Sequence, residues 1–233
     1  MDGLTRAIHT CDPYADFNMD QHKVDLQGWN SNGLVFEKLI KEIKPSLIIE
    51  VGTWKGASAI HMAKIIKKMR LNCKICCVDT WLGGAHFREN KEDSVRFLSL
   101  NLKHGYPMVY FQFLHNVIYK QVQDIIIPFP MDSVNASKWF ELFSIKADII
   151  YIDGNHEEDS VYADLKNYFP LLTKKGVMFG DDFRGCWKGV QAAVKRFAKE
   201  KDFELDEQNG FFILRRNNSD MTQIHDQSRV TDV

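Results

Sequence analysis

The chain has almost no net charge: 30 Lys and Arg against 31 Asp and Glu in 233 residues leave a formal charge of -1. A protein that binds a polyanion through phosphate contacts needs an excess of cations, so this balance argues against nucleic acid as a partner. No run approaches the 18 or more apolar residues of a membrane span, and the first residues, Met1-Asp2-Gly3-Leu4-Thr5-Arg6, lack the basic and apolar regions of a signal peptide. A cytoplasmic protein without a membrane partner is the expectation. The five cysteines, at 11, 73, 76, 77 and 186, form no zinc framework, because Cys73-Lys74-Ile75-Cys76 has no second Cys or His pair at finger distance. They read as small buried hydrophobes. Internal repeats are absent too, so the length suits one α/β domain.

Apolar runs and helical stretches alternate from residue 36 to 200, the pattern of β-α units on a doubly wound sheet. An amphipathic helix over 36–43 precedes a strand at 47–51, a helix at 57–69 and a strand at 75–78 that ends on Asp79. Residues 82–123 carry helical patterns near 92–103 and 110–120 and suit a cover over a site. Strands follow at 125–130, 148–152 and 176–179, with a helix containing 139–143 and others at 159–172 and 189–201. Pro128 and Pro130 put the third strand at an edge or a strand end. A hairpin over 203–205 and 211–214 turns at Asn209-Gly210, which makes seven strands. The boundaries are a cover segment at 1–35, a domain at 36–216 and a flexible, polar tail at 217–233.

Ligands of such sheets sit outside the carboxyl ends of the strands, and here those ends are acidic: Glu50, Asp79, Asp153 and Asp181-Asp182. Leu47 to Ser58 reads as a buried strand entering a turn bracketed by Gly52 and Gly56, then a helix whose free N–H groups can hold an anionic group. Glu50 has the reach to accept hydrogen bonds from a ligand. Asp79 stands where Rossmann-type proteins place the carboxylate that accepts ribose hydroxyls. Asp132-Ser133 either flanks the base or forms an Asx-type turn. Three carboxylates at neighbouring strand ends, Asp153, Asp181 and Asp182, repel one another unless a hard cation such as Mg²⁺ lies between them; otherwise they cap the elements that follow. His156 faces the same crevice, and histidine can take a proton at neutral pH, although a loop histidine bonding the backbone has the same signature. His86 and His115 lie in the cover within reach of a substrate, as do the aromatic rings of Trp81, Phe87, Tyr106 and Trp187, while His61 belongs to a helix face.

Glu-Val-Gly-Thr-Trp-Lys-Gly-Ala-Ser (50–58), Val-Asp-Thr-Trp (78–81), Tyr-Ile-Asp-Gly-Asn-His (151–156) and Gly-Asp-Asp-Phe (180–183) together resemble a class I S-adenosylmethionine-dependent methyltransferase over roughly residues 27–214. Within that superfamily the chain is most similar to metal-dependent O-methyltransferases acting on sugar hydroxyls of macrolide and aminocoumarin antibiotics. The resemblance implies a Rossmann-like seven-stranded sheet of order 3-2-1-4-5-7-6 whose last strand is antiparallel. It implies a cofactor site of Glu50, Gly52, Thr53, Trp54, Gly56, Ser58, Asp79, Thr80, Trp81, Asp132, Ser133 and Asp153. Within it Gly52 approaches the methionine part of S-adenosylmethionine, Ser58 its carboxylate, Asp79 the ribose and Ser133 the adenine. A metal site of Asp153, Asp181 and Asp182 and a catalytic pair of His156 and Asp153 are implied as well. Trp54 replaces the middle glycine of the first motif, and Asn155 stands where some relatives place an aspartate base.

The expected activity is Mg²⁺-dependent methylation of a hydroxyl on a sugar-containing, diol or catechol small molecule, the partner being that acceptor. A homo-oligomer is left open. The competing readings are a methyltransferase-fold protein that binds S-adenosylmethionine without metal-dependent O-methylation, a nicotinamide oxidoreductase and a nucleic-acid methyltransferase. The second fails on spacing, since Gly52-Thr53-Trp54-Lys55-Gly56 is not Gly-x-Gly-x-x-Gly. The third lacks both a basic stripe and an Asn/Asp-Pro-Pro-Tyr-type motif after the fourth strand.

Overall fold

The structure is a computed structural model, which describes residues 2–88 and 95–217 apart from the side chain of His86. Seven strands form one sheet: β1 (Leu47–Val51), β2 (Lys74–Asp79), β3 (Ile126–Pro130), β4 (Ala147–Ile152), β5 (Leu172–Gly180), β6 (Phe203–Gln208) and β7 (Phe211–Arg216). Their order is β3-β2-β1-β4-β5-β7-β6. The first five run parallel, and β7 is antiparallel to both β5 and β6. The helices are α1 (Gly3–Ile8), α2 (Leu34–Ile43), α3 (Ala57–Met69), α4 (Val95–Ser99), α5 (Val109–Tyr119), α6 (Ser133–Leu142), α7 (Glu158–Tyr168) and α8 (Lys188–Glu200). The expected fold and strand order are therefore those observed. Among the described residues no helix is long and apolar enough to cross a membrane.

Both sheet faces are covered, so the strands are apolar at consecutive positions and the two-residue side-chain period decides which core each residue joins. Ile48, Ile149, Tyr151, Val177 and Phe179 pack with α2, α3 and α5; Ile49, Val51, Ile150, Ile152 and Met178 pack with α6, α7 and α8. The same alternation separates the central cysteines: Cys73 and Cys77 lie on the first face and Cys76 on the second, all buried and free.

Boundaries follow local chemistry. Lys44 closes α2 in the left-handed region (φ 49°) just before Pro45. The expected helix over 159–172 ends at Tyr168, and a single 3-10 turn containing Pro170 follows; that turn lets β5 begin at Leu172, four residues earlier than its apolar run suggests. Asn209 and Gly210 both have positive φ (53° and 93°), which matches a two-residue turn to the twist of the β6–β7 hairpin. The cover helix expected near 92–103 is present as α4, and residues 89–94 lie outside the described set.

β3 is an edge strand, as its prolines require. The N-terminal segment wraps that edge: Leu4 and Ile8 pack on the α6–α8 face, and Tyr14, Phe17 and Leu26 on the other. Two of its side chains reach carbonyls of β3, Tyr14 Oη donating to Ile126 O at 3.0 Å and a ring nitrogen of His9 lying 2.7 Å from Pro128 O.

Candidate active site

The chain leaves β1 through Gly52, whose φ is +85°, and a Cβ there would stand 2.1 Å from the carbonyl oxygen of Asp153. Only glycine lets the loops after β1 and β4 approach so closely. One carboxylate oxygen of Asp79 accepts the N–H groups of Thr53 (2.9 Å) and Trp54 (2.8 Å), and the other accepts that of Trp81 (2.7 Å). Burial nevertheless raises the Asp79 pKa, the amides lowering it in part. Trp54, which stands in place of a motif glycine, adopts φ +53°. Left-handed backbone costs an L-residue about 1–2 kcal/mol, and three contacts oppose that cost: the bond to Asp79, an indole N–H donated to Gln27 Oε1 (3.1 Å) and its carbonyl accepting from the Trp81 indole (2.7 Å).

Glu50 departs from expectation. It shares side-chain parity with Ile48, so it points beneath α3 rather than up into the crevice, and it is fully buried. The hydroxyls of Thr53 (2.9 Å) and Ser58 donate to its two oxygens. Burial lifts its pKa to about 7 against the lowering effect of those hydroxyls. Glu50 is a brace under the loop, closed to a ligand. Trp81 is also corrected: it is 2% exposed and packs on Tyr110 and Phe113. Gly56 is turned toward Phe113.

A cavity of about 650 Å³ opens above the strand ends, lined by Gly52, Thr53, Trp54, Ser58, Asp79, Thr80, Asp132, Ser133, Asp153, His156 and Asp182. Most of the expected site is thus brought together, while Glu50, Gly56, Trp81 and Asp181 lie outside its lining. Asp132 lines the cavity and also caps α6, accepting from Asn135 N at 3.0 Å. Of the expected cover residues, Phe87 and Trp187 line the cavity, whereas Tyr106 does not. His115 is buried on α5 beside His22 and Tyr119, and His61 packs edge-on to Phe36.

On the acidic side Asp153, in parity with Tyr151, accepts that residue's hydroxyl at 2.9 Å. Its pKa lies well above the carboxylate range, chiefly through burial and then through the charges of Asp181 and Asp182. Asp181 is raised too, by burial; its Oδ1 accepts from Asn30 Nδ2 (2.9 Å) and from the Asp182 N–H (2.7 Å). Asp182 turns away with φ +62° and pairs with His156 Nε2 at 2.8 Å. Trp187 stacks on that imidazole, with ring centroids 3.8 Å apart and planes at 16°.

Three carboxylates supply the hard oxygen donors that suit a divalent cation, and such an ion would relieve the smaller part of the Asp153 shift, the part that comes from the charges of Asp181 and Asp182. As the side chains stand, however, no group of three or more His, Cys, Asp and Glu among the described residues is arranged to hold an ion.

Several lining residues were not singled out from sequence. Gln27, Gly28, Trp29 and Ser31 come from the N-terminal segment, Arg96 from α4, and Asp159, Ser160 and Asp164 from α7. Only the α7 set carried a usable signal: positions 159–160 and 163–164, one helical turn apart, lie on one face directly after the Asp153–His156 loop.

A glycine turn into a helix, an acid at the end of β2 and a cavity above the switch point of a 3-2-1-4-5-7-6 sheet together suit the S-adenosylmethionine site of a methyltransferase. A family model described as a methyltransferase domain matches residues 49–183, more than half of the chain, and the chain belongs to that family. A rhamnosyl O-methyltransferase of Mycobacterium tuberculosis is 22% identical over 195 residues, which cover 78% of this chain and 67% of the relative. A calicheamicin methyltransferase superimposes with a TM-score of 0.57 at 19% identity, covering 78% of this chain and 77% of its own. The O-methyltransferase NovP gives 0.57 at 17%, covering 79% and 78%. An O-methyltransferase from Bacillus cereus in complex with SAH gives 0.53 at 13%, covering 93% and 92%. These structures share the fold.

Proposed function

We propose that the protein methylates a hydroxyl of a small molecule that carries a sugar or another vicinal diol, with Mg²⁺ as an accessory ion. The observation that carries this reading is the His156–Asp182 pair, 2.8 Å apart, on the wall of the same cavity as the loop of Gly52 and Asp79. The sugar acceptor is supported by the names of the rhamnosyl and calicheamicin relatives. The aromatic side chains of Trp29, Phe87 and Trp187 in the cavity lining give it apolar surface that suits the C–H face of a sugar ring.

S-adenosylmethionine supplies an electrophilic methyl group on a sulfonium. Gly52 admits its methionine part, Ser58 lies by the carboxylate, Asp79 takes the ribose hydroxyls and Ser133 lies by the adenine. Confining the acceptor beside the donor removes translational freedom, an effect of up to roughly 7–11 kcal/mol for well-oriented groups. A sugar hydroxyl must lose its proton as it attacks, and His156 takes it. The Asp182 carboxylate and the Trp187 ring hold the imidazole plane for that transfer, and the carboxylate offsets the positive charge that develops there. Asp153, Asp181 and Asp182 would hold Mg²⁺, whose charge would orient neighbouring oxygens of the acceptor and favour its deprotonation. A second, metal-free reading is favoured by one feature: Asp182 already pairs with His156.

The test is formation of S-adenosylhomocysteine in the presence of a panel of glycosides and catechols. His156→Ala is expected to lower turnover by about 10²–10⁴-fold with donor affinity unchanged; a fully active variant refutes the base. Activity lost on treatment with a chelator and restored by Mg²⁺ supports the ion, and undiminished activity leaves the metal-free reading.

A further inference from the structure

The acid beneath the donor loop stands one layer away from the cavity. Glu50 is closed to a ligand, but the two hydroxyls that hold it, those of Thr53 and Ser58, both belong to residues of the cavity lining. Its two oxygens are served unequally. Oε2 accepts from the Thr53 hydroxyl at 2.9 Å and from the Cys77 thiol at 3.4 Å, whereas Oε1 accepts from the Ser58 hydroxyl. A carboxyl group that gains a proton becomes a donor at one oxygen and stays an acceptor at the other. Oε2 keeps its two donors if it remains the acceptor, so the proton belongs on Oε1, facing Ser58.

A serine hydroxyl has one proton to give. While Glu50 is ionised, Ser58 gives that proton to Oε1 and presents lone pairs to the cavity. Once Glu50 is neutral, its Oε1–H donates to Ser58 Oγ, and Ser58 can turn its own proton outward. Ser58 is the second residue of α3, which starts after Gly56 without a side-chain cap. Such a helix end favours an anion. An anion accepts a bond from a hydroxyl that offers its proton and is repelled by one that offers lone pairs.

We propose that Glu50 is a positioning residue for the methyl donor: in its neutral form it turns the Ser58 hydroxyl toward the donor's carboxylate, so that donor binding draws a proton from solvent into the buried carboxyl group. The inference rests on the reading of the cavity as the donor site.

Burial pushes the Glu50 pKa up to about 7, so both forms are populated near neutrality. A ligand that favours the neutral form raises that value further, and its affinity falls as pH rises above about 7. The titratable groups that face Glu50 are Cys77 and Asp79 from β2 and Tyr151 and Asp153 from β4 and the loop after it. Burial holds the Cys77 thiol and the Tyr151 hydroxyl well above their ordinary values, so both keep their protons in this range. Asp79 and Asp153 are raised as well; they are present in every protein compared below and cancel from the differences.

The experiment is calorimetric titration of the full chain with S-adenosylhomocysteine at pH 6, 7 and 8, in buffers of different ionisation enthalpy so that proton uptake is read directly. The wild type is expected to lose about five- to tenfold in affinity from pH 6 to pH 8, and to take up part of a proton per ligand at pH 8. Glu50→Gln keeps a donating amide at the same place. Its affinity at pH 8 is expected to match that of the wild type at pH 6, with the uptake gone. Ser58→Ala should behave conversely, binding more weakly at pH 6 and almost as the wild type does at pH 8. A merely structural role lowers affinity by the same factor at every pH. Wild-type affinity that does not change with pH, or a Glu50→Gln variant that keeps the wild-type slope, overturns the proposal; should Glu50→Gln fail to fold, an unchanged slope in Ser58→Ala does so. Failure to bind S-adenosylhomocysteine at any pH refutes the donor-site reading instead.

Discussion

Replacing Asn116 by alanine tests whether the N-terminal segment and the donor loop are one mechanical unit. Asn116, on α5, is fully buried. Its side-chain amide donates to the carbonyls of Asp25 (2.6 Å) and Lys55 (2.9 Å), and its oxygen accepts the Asp25 N–H (3.1 Å). Beside these bonds Lys55, 4% exposed, pairs with the Asp25 carboxylate at 2.5 Å. The truncation strips three backbone groups of a partner. Each such bond contributes about 1 kcal/mol net and more where the stranded group cannot reach water. Asp25 is half open to solvent, its side chain 46% exposed, so its own backbone groups can rehydrate in part. The expected loss is therefore about 2–3 kcal/mol, which for a domain of this size lowers Tm by roughly 4–12 °C. Urea unfolding gives the free energy directly, and donor affinity should fall with it because Lys55 lies inside the turn of Gly52 and Gly56. Gln112→Ala removes a part-buried bond to the same side chain (3.0 Å) and one to the Lys23 carbonyl (2.7 Å); it strands no fully buried backbone group and should cost less, about 1 kcal/mol. If Asn116→Ala unfolds at the same urea concentration as the wild type, the segment and the loop are not coupled through this residue.

Three further outcomes follow. Gly52→Ala combines φ +85° with a Cβ 2.1 Å from the Asp153 carbonyl, so it should abolish donor binding and cost more than about 2 kcal/mol; titration with S-adenosylhomocysteine checks the first and unfolding the second. Glu50, whose folded pKa is pushed up to about 7 from the ordinary 4.5, favours the folded state most below pH 4.5. That contribution is lost as pH rises to about 7, an upper bound on the order of 3 kcal/mol. Glu50→Gln should therefore flatten the fall in stability between pH 5 and 8, and an unchanged slope refutes the assignment. Trp187→Ala removes the ring stacked on His156 and should lower kcat up to about tenfold with KM less affected, Trp187→Phe restoring much of it; equal turnover in all three proteins denies the ring a role in holding the imidazole.

The strand ends were readable because acids closing apolar runs in a parallel sheet are conspicuous. What could not be read was their direction. Glu50 and Asp79 share the same signature in sequence, yet one has its oxygens taken by Thr53 and Ser58 beneath α3, while the other lines the cavity. The difference is one of depth: Glu50 pairs with Cys77, two positions short of Asp79, so it lies under the loop while Asp79 stands at the end of its strand. Trp81 was misassigned for a related reason: a large ring after an acidic strand end can stack on a ligand or fill the space under α5, and Tyr110 and Phe113 decide it. The N-terminal contribution lay beyond sequence reading altogether, because Asp25 meets Lys55 and Asn116, and Asn30 meets Asp181, across 30 to 151 positions with no periodic pattern to announce it. Asp164 was legible in principle, one turn beyond Asp159–Ser160 on a helix that starts beside the site.

The wrapping of β3 by His9 and Tyr14 bears on how the molecule behaves in concentrated solution. An open sheet has two rims, each able to recruit a strand from another molecule. The β6 rim carries Glu204, Asp206 and Glu207, whose like charges repel an identical copy, but β3 reads Ile-Ile-Pro-Phe-Pro and has no charge of its own. Its protection is borrowed from residues more than 110 positions earlier in the chain. Deleting residues 1–14 should leave the cavity intact yet bare that rim, and light scattering should then report more concentration-dependent self-association than the undeleted chain gives.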